Sequence, residues 1–545
     1  MNTPISVPEN TQLNYDEMSR QELINICREQ AKLLEEMSRN IKWMMEQIKL
    51  SNKSRFGSSS DSVVYPEGYE QPSFFNEAEV LANPGADEPS LDDSLAKPER
   101  RKKKKEKGKK ERDLSGLPVT IIEHELPDEQ RSCPECGNSL HDMKMEVTKI
   151  LKFVPAHMEV EEHRRHVYTC RNCEQTQEEG TKIPFIRADM LQQPIPGSFA
   201  SAELIAAILN GKYVNAMPLA RQEKELECHE VAISRQTMSN WILKCAEDYF
   251  SLIYNHMRET LLKKEVLHAD ETYVQVVREP GREAKSKSYM WTYCTGIHDL
   301  PIVYFEYHQS RAFESAEEFL KGYKGYLHTD GYEVYHKLNS GITVVGCLAH
   351  IRRRFTDCIQ SLSEEEKKTT FSYEGLQFCD NIFHIDKKLK DYSDEERYQK
   401  RLTLLKPVMD AFLVWLKKMK QMAVPKTHFY EAVNYALNQW TYFQNVLLDG
   451  RLELSNNLVE RSLRPFTIGR KNWMTMETPR GATASAMIYS VVTTARNNNL
   501  KPYNYLVYIL KEMPNTDFIN HPELIGKFVP WSTELPADCY KQDRA

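Results

Sequence analysis

Val266-Leu267-His268-Ala269-Asp270-Glu271-Thr272-Tyr273-Val274-Gln275-Val276-Val277 is where the sequence changes character. Upstream, apolar residues recur at helical spacing. Here they alternate with polar ones, the period-two signature of a strand. Two more such runs follow, Ser288–Gly296 and Ile302–Tyr307, and Pro280-Gly281 marks the first of the turns between them. A helix is expected from about Ala312 to Gly322, then a fourth strand at Tyr326–Thr329, a helix after Gly331, and a fifth strand at Thr343–Leu348. The order predicts a mixed sheet with helices on its faces, within a multidomain α+β chain.

Two acids stand where strands hand over to turns. Asp270 lies in His268-Ala269-Asp270-Glu271-Thr272, and Asp330 in His328-Thr329-Asp330-Gly331-Tyr332. In a five-stranded sheet of this order the first and fourth strands are neighbours, so the two carboxylates meet. Close carboxylates repel each other, and divalent cations relieve the repulsion; hard oxygen ligands suit Mg²⁺. The best third acid is Glu460, on the short helix Asn456–Arg464, which Pro465 is expected to stop. Asn457, Glu460, Arg461 and Arg464 share one face of it through spacings of three and four. Arg470 and Lys471 extend the basic surface. An ordinary Glu460–Arg464 pair is the plainer reading of the same spacing.

Between these parts, 359–450 reads as a helical insertion; beyond them, Ala482–Glu512 reads as a helical tail. Upstream, 196–262 reads as helical. Ala202–Leu209 is one helix with Gly211 as its stop, and Leu219–Cys228 is another. Ser234 caps a third, with Met238, Trp241 and Ile242 facing inward. This fits a helix-turn-helix whose groove-facing side chains are Arg235, Gln236 and Asn240, or else an ordinary helical hairpin.

Residues 113–195 form a small module around Cys133-Pro134-Glu135-Cys136 and Cys170-Arg171-Asn172-Cys173, with strands expected at Lys149–Val154 and Val160–Tyr168. One Cys-x-x-Cys would serve a redox role; two close a tetrahedral four-thiolate site for one structural Zn²⁺. Residues 15–52 read as one helix with a heptad seam of Leu23, Cys27, Gln30, Leu34, Met37, Ile41, Met44 and Ile48. That suits a coiled coil for self-association, or an amphipathic helix packed on its own domain. Residues 53–112 read as a disordered charged linker. Asp61–Ala96 holds nine acidic residues and no Lys or Arg, and Lys97–Arg112 holds eleven basic residues and three acidic ones.

The 545 residues, 41% hydrophobic and 28% charged, suit three or four globular domains. No apolar run is long enough for a spanning helix, and the first residues lack the pattern of a secretory leader, so no membrane association is expected. The net charge of −6 argues weakly against nucleic acid, but the charge is unevenly distributed. Twelve cysteines in a long chain of this type do not suggest a disulfide scaffold.

At these residues the sequence resembles the IS66 family of bacterial insertion-sequence transposases. The resemblance rests on the two aspartate motifs, on Gly346-Cys347-Leu348-Ala349-His350-Ile351-Arg352-Arg353-Arg354-Phe355, on Asn456–Pro465, and on Gly469-Arg470-Lys471-Asn472-Trp473. It extends to Arg55-Phe56-Gly57, the two cysteine pairs, and Pro502-Tyr503-Asn504-Tyr505-Leu506. Leu348 and Ile351 depart from the family pattern without touching the acids.

The resemblance implies an RNase H-like catalytic core, with its first part at 263–358, its second at 451–480 and a C-terminal helical element at 481–545. Asp270, Asp330 and Glu460 would be its acidic triad. Two Mg²⁺ ions on the triad would support strand cleavage and 3′-OH strand transfer. Arg352, Arg353, Arg354, Asn457, Arg461, Arg464, Arg470 and Lys471 would contact DNA. Expected partners are the element's terminal repeats and target DNA, a second copy or more of the chain, and small companion proteins of the same element. The implied location is the bacterial cytoplasm, at the nucleoid when DNA is bound. A catalytically silent DNA-binding protein derived from a transposase is the rival reading.

Overall fold

The computed structural model describes residues 19–21, 23–34, 37, 158–169 and 185–541. The linker, the four patterned cysteines, the candidate strand Lys149–Val154 and most of the heptad helix lie outside the described residues. Residues 23–34 are helical, with Leu33 and Leu34 exposed. Among the described residues no helix is long and apolar enough to cross a membrane.

The described residues fall into two units. In the smaller, β1 (Val167–Thr169) pairs antiparallel with β2 (Phe185–Arg187). The expected strand at Val160–Tyr168 is thus mostly irregular chain; only its last residues find a partner.

The larger unit contains Asp189–Lys541. It begins with α1 (Ala202–Tyr213), α2 (Leu219–Cys228), α3 (Arg235–Cys245) and α4 (Ser251–Leu261), the last two continuous through a π-turn. Gly211 does not stop α1. It lies against Gln222, whose side chain a Cβ at position 211 would meet at 2.9 Å, so the glycine serves close packing. Ser234 caps α3 by accepting from the Thr237 amide, and Met238, Trp241 and Ile242 are buried. Tyr254 of α4 donates to the Phe305 carbonyl (2.7 Å), and these helices share one continuous core with the sheet that follows.

That sheet is built on β3 (Val266–Val276). β4 (Lys287–Thr295) and β5 (Val303–His308) extend it antiparallel on one side. After α5 (Phe313–Phe319), β6 (Gly325–Thr329) pairs parallel with β3, and β7 (Ile342–Gly346) extends that side. The order is β5-β4-β3-β6-β7, so the expected neighbours are neighbours. The helix expected after Gly331 is a single 3₁₀ turn, Tyr335–Lys337. β7 ends at Gly346, and Leu348 already opens α6 (Leu348–Ile359).

α7 (Phe371–Lys388), α8 (Asp394–Lys400), α9 (Lys406–Met422) and α10 (His428–Phe443) surround a second core of Phe355, Phe412, Phe429 and Trp440. Here the fully buried Arg401 bonds Asp386 (2.8 Å) and the carbonyls of Val446 (3.2 Å), Asp449 (3.1 Å) and Leu452 (2.7 Å). It thereby fixes the segment that returns from the insertion to the sheet.

The chain then enters α11 (Asn457–Trp473), which runs through Pro465 instead of stopping there. The proline removes one amide, and the Arg461 carbonyl loses that bond. The burial of Phe466 and Gly469 beyond it keeps the helix going. β8 (Thr475–Met476) adds a sixth strand, parallel to the far end of β3. The expected helical tail consists of two helices, α12 (Pro479–Asn497) and α13 (Pro502–Glu512). Asn499 in the left-handed region (φ 60°) and Pro502 impose the break. α12 also covers the sheet edge: Ser490 and Thr494 accept from the Phe305 (2.8 Å) and Val303 (2.9 Å) amides of β5.

Arg401→Met should lower stability by about 3–5 kcal/mol, because it leaves Asp386 and three carbonyls short of their donor. Urea denaturation would measure this, and hydrogen exchange should rise first around 446–456. An unchanged midpoint would contradict the role given to Arg401.

Candidate active site

The site starts from the register of β3 and β6. His268 stands opposite His328, and two residues further on the same face the strands deliver Asp270 and Asp330. Asp330 leaves the sheet in a turn, its Oδ1 accepting from the Tyr332 amide (2.9 Å). The insertion holds that turn from behind. Tyr435 of α10 donates to the Asp330 carbonyl (2.8 Å), and Gln439 to the Gly331 carbonyl (3.3 Å). Gly331 has φ 93°, and a Cβ there would meet Gln439 at 2.7 Å, so the position admits only glycine without strain.

Asp270 is half-buried and accepts from the Glu271 amide (2.8 Å). Burial pushes its carboxyl well above the usual Asp range, and the charges of Glu271, Asp330 and Glu460 push the same way. Glu271 is differently placed. Its side chain is fully buried and bonds Arg311 (2.6 Å) and the Tyr335 hydroxyl (2.6 Å). Arg311 in turn stacks over the Tyr332 ring at 3.7 Å. Glu271 thus has its counterion inside the fold, whereas Asp270 has no salt-bridge partner among the described residues.

Asn456, immediately before α11, aligns the third acid. It is fully buried; its amide donates to the Ala269 carbonyl (2.8 Å) and its Oδ1 bonds His268 Nδ1 (3.0 Å). Its backbone N–H reaches Cys347 Sγ (3.1 Å). One carboxamide therefore joins the strand of Asp270 to the helix of Glu460. His268 and His328 stack with centroids 4.3 Å apart beneath the acids, and burial lowers both, His268 to about 4. Both rings are neutral at physiological pH.

Glu460 lies 3.9 Å from His350 Nε2 and 3.8 Å from Arg353, at the limit of ion pairing, and it does not pair with Arg464. Its Oε1 is buried without a hydrogen-bond partner. Burial lowers the pKa of His350 against the opposing pull of Glu460 and Asp330. The three acids thus share one electrostatic neighbourhood. Among the described residues, no three His, Cys, Asp or Glu side chains stand close enough to ligate one ion as they are.

The candidate DNA-contact residues divide into two sets. Arg235, Gln236 and Asn240 are exposed on α3, with Gln236 donating to Asn240 (3.1 Å). Arg461, Arg464 and Lys471 are exposed, Arg353 is more than half exposed, and Asn457 is half-buried. Arg352 instead bonds Asp380 (2.6 Å), Arg470 bonds Thr272 (2.8 Å) and stacks on Tyr273, and Arg354 lies over the Tyr435 ring at 5.1 Å. Sequence reasoning missed Arg311, Tyr335, Tyr435 and Gln439, which have no local signature. The histidine pair did leave one, the His-x-Asp spacing repeated in both strands.

Residues 197–484, more than half of the chain and all three acids, match the profile described as "Transposase IS66 family". Residues 130–174, with all four patterned cysteines, match the "zinc-finger binding domain of transposase IS66". The chain belongs to the IS66 transposase family. It is also similar to two Sinorhizobium fredii proteins with no assigned activity. The first, "Uncharacterized protein y4hP", is 28% identical over 73% of this chain and 73% of its own. The second, "Uncharacterized protein y4jD", is 25% identical over 77% and 82%.

The raised pKa of Asp270 gives a signed prediction. The folded state binds this proton more tightly than the unfolded state, so the stabilising contribution is complete below the ordinary Asp range. It is lost as pH rises through the raised value. Asp270→Asn should therefore raise Tm at pH ~8 by roughly 2–4 °C, about 1 kcal/mol, in buffer free of divalent cations. The gain should vanish near pH ~4. Thermal denaturation across pH measures it, and a variant less stable at pH ~8 would contradict the charge crowding.

Proposed function

We propose that the chain is an active DNA transposase with an RNase H-like core, using Asp270, Asp330 and Glu460 as its catalytic acids. The supporting observation is their convergence. Two come from adjacent parallel strands and the third from the helix that Asn456 ties to the first strand.

The donor chemistry fits Mg²⁺. All three groups are hard oxygen ligands, the charges of Glu271, Asp330 and Glu460 all disfavour the Asp270 carboxylate, and Glu460 Oε1 is buried without a hydrogen-bond donor. These residues would hold two ions, which when bound would supply Lewis-acid activation of water and neutralise charge at the leaving 3′-oxygen. The chain's own residues do the positioning. Asn456 keeps α11 in register with β3, and Tyr435 and Gln439 keep the Asp330 turn in place. Arg353, Asn457, Arg461, Arg464 and Lys471 attract and orient the phosphates on either side of the scissile bond. Hydrolysis frees a 3′-OH at the element's end. That hydroxyl then attacks a target phosphate in line, forming one phosphodiester as another breaks.

Recognition of the terminal repeats falls to α3, through Arg235, Gln236 and Asn240, together with the module of Cys133, Cys136, Cys170 and Cys173. Four thiolates form a closed set that suits a structural Zn²⁺. Two ends must be held at once, so the active form is a dimer or larger, with the heptad helix as its contact. Small companion proteins of the element are further expected partners.

The test is a cleavage and joining assay on DNA carrying the element's own end, with Mg²⁺. Wild type should nick at the end and join the 3′-OH to a second DNA. Glu460→Gln should bind the end normally and lose both steps by ~10²-fold or more. Full activity in Glu460→Gln would remove Glu460 from the triad. Binding without cleavage by wild type would favour the silent DNA-binding alternative.

A further inference from the structure

A cleft of about 500 Å³ opens on another flank of α11. Its floor is the end of β4 and the turn into β5; its walls are α11 and the last turn of α12. The volume falls within the range of ~300–1,000 Å³ typical of ligand sites. Three cations converge on it, Arg461 from α11, Arg496 from α12 and Lys541 from the segment after α13. All three are exposed, and none makes a hydrogen bond or ion pair through its side chain among the described residues. The acid in the lining, Asp299, is already paired with Lys264 at 2.8 Å.

The fold holds these cations together. Leu500 bridges Tyr540, the Lys501 amide donates to the Cys539 carbonyl (2.7 Å), and the Lys541 amide donates to Asn499 (2.9 Å). The segment carrying Lys541 is thereby stitched beside the end of α12. Arg461 is partly offset by the half-buried Glu453 carboxyl, whereas Arg496 and Lys541 have no ion-pair partner among the described residues, and a polyanion relieves the remaining repulsion.

The position says which polyanion. Arg461 follows Glu460 and is turned about 100° around the helix from it. Cys294 in the cleft floor pairs across the sheet with His268, two residues before Asp270. Strand spacing puts that point about 8 Å from Asp270, close enough for one DNA strand to reach both.

We propose that this cleft binds the sugar-phosphate backbone of a DNA strand next to the phosphate at the acids, with Arg461, Arg496 and Lys541 as its phosphate contacts. The proposal rests on the transposase reading for its ligand. Contacts of this kind carry no base specificity, so the site grips flanking or target DNA of any sequence.

The experiment is fluorescence anisotropy of the full chain on a duplex lacking element sequence, across about 50–200 mM salt. Arg496→Ala/Lys541→Ala should weaken binding about tenfold and reduce the slope of log affinity against log salt by about 1.8, or ~0.9 per lost phosphate contact. Both side chains are exposed, so the thermal unfolding temperature should not move. Arg496→Lys/Lys541→Arg should restore the slope. An unchanged slope in the double alanine variant, or no binding of this duplex by wild type, overturns the proposal. So does a site that only small anions fill, seen as inorganic phosphate raising the Tm of wild type but not of the variant while the DNA slope stays the same. Cleavage of the element's end is scored separately. Wild type that never cleaves but shows the expected slope change sinks the transposase reading and leaves the cleft standing.

Discussion

The Asn456 carboxamide gives its hydrogen bonds to the strand that carries Asp270. It donates to the Ala269 carbonyl and bonds His268 Nδ1, fully buried, at the very start of the helix that carries Glu460. Loss of such a buried group leaves its partners unsatisfied, at about 1–3 kcal/mol each. A helix is rigid along its length, so a correct seat at its first residue fixes Glu460 one turn later. The position of Glu460 thus depends on an amide one turn away from it.

The insertion has a comparable part. Its helices have a core of their own, yet they also meet the second acid. Tyr435 and Gln439 bond the Asp330-Gly331 backbone, and Arg401 anchors the chain that leads to Asn456. Glu460 is therefore placed by a helix outside the sheet, and Asp330, delivered by β6, is braced by the insertion. Their crowding disfavours the folded state at neutral pH, as the raised carboxyl of Asp270 indicates. The Glu271–Arg311 pair, one residue away, is what a carboxylate looks like when the fold supplies its counterion. Among the described residues Asp270 has no salt-bridge partner of that kind.

The strands were legible from short runs rich in β-branched and aromatic residues between turn signals, although β4 and β5 are buried in continuous stretches and do not alternate. Asp270 and Asp330 were legible because they lie on or just after strands that must be neighbours. Glu460 was found through its helix, but the extent of that helix was misjudged. Pro465 reads as a stop, and only tertiary burial of Phe466 and Gly469 carries α11 through it. Gly211 was misread for a similar reason, since its packing partner Gln222 belongs to a different helix. The turn after Gly331 looked helical because nothing local announces that the chain is held there by Tyr435, more than a hundred residues away. Arg352 and Arg470 look like their basic neighbours in sequence, and only the fold ties them to Asp380 and Thr272. Local pattern reveals what a segment is; long-range partners decide what its side chains are free to do.

The central claim is that Asp270, Asp330 and Glu460 form one divalent-cation site. The most direct test is anomalous scattering from Mn²⁺ in crystals of the full chain with DNA. Peaks bounded by these three carboxylates, lost in Glu460→Gln crystals, are the predicted result. Mn²⁺ bound elsewhere, or held at the Asp270 turn without Glu460, would contradict it.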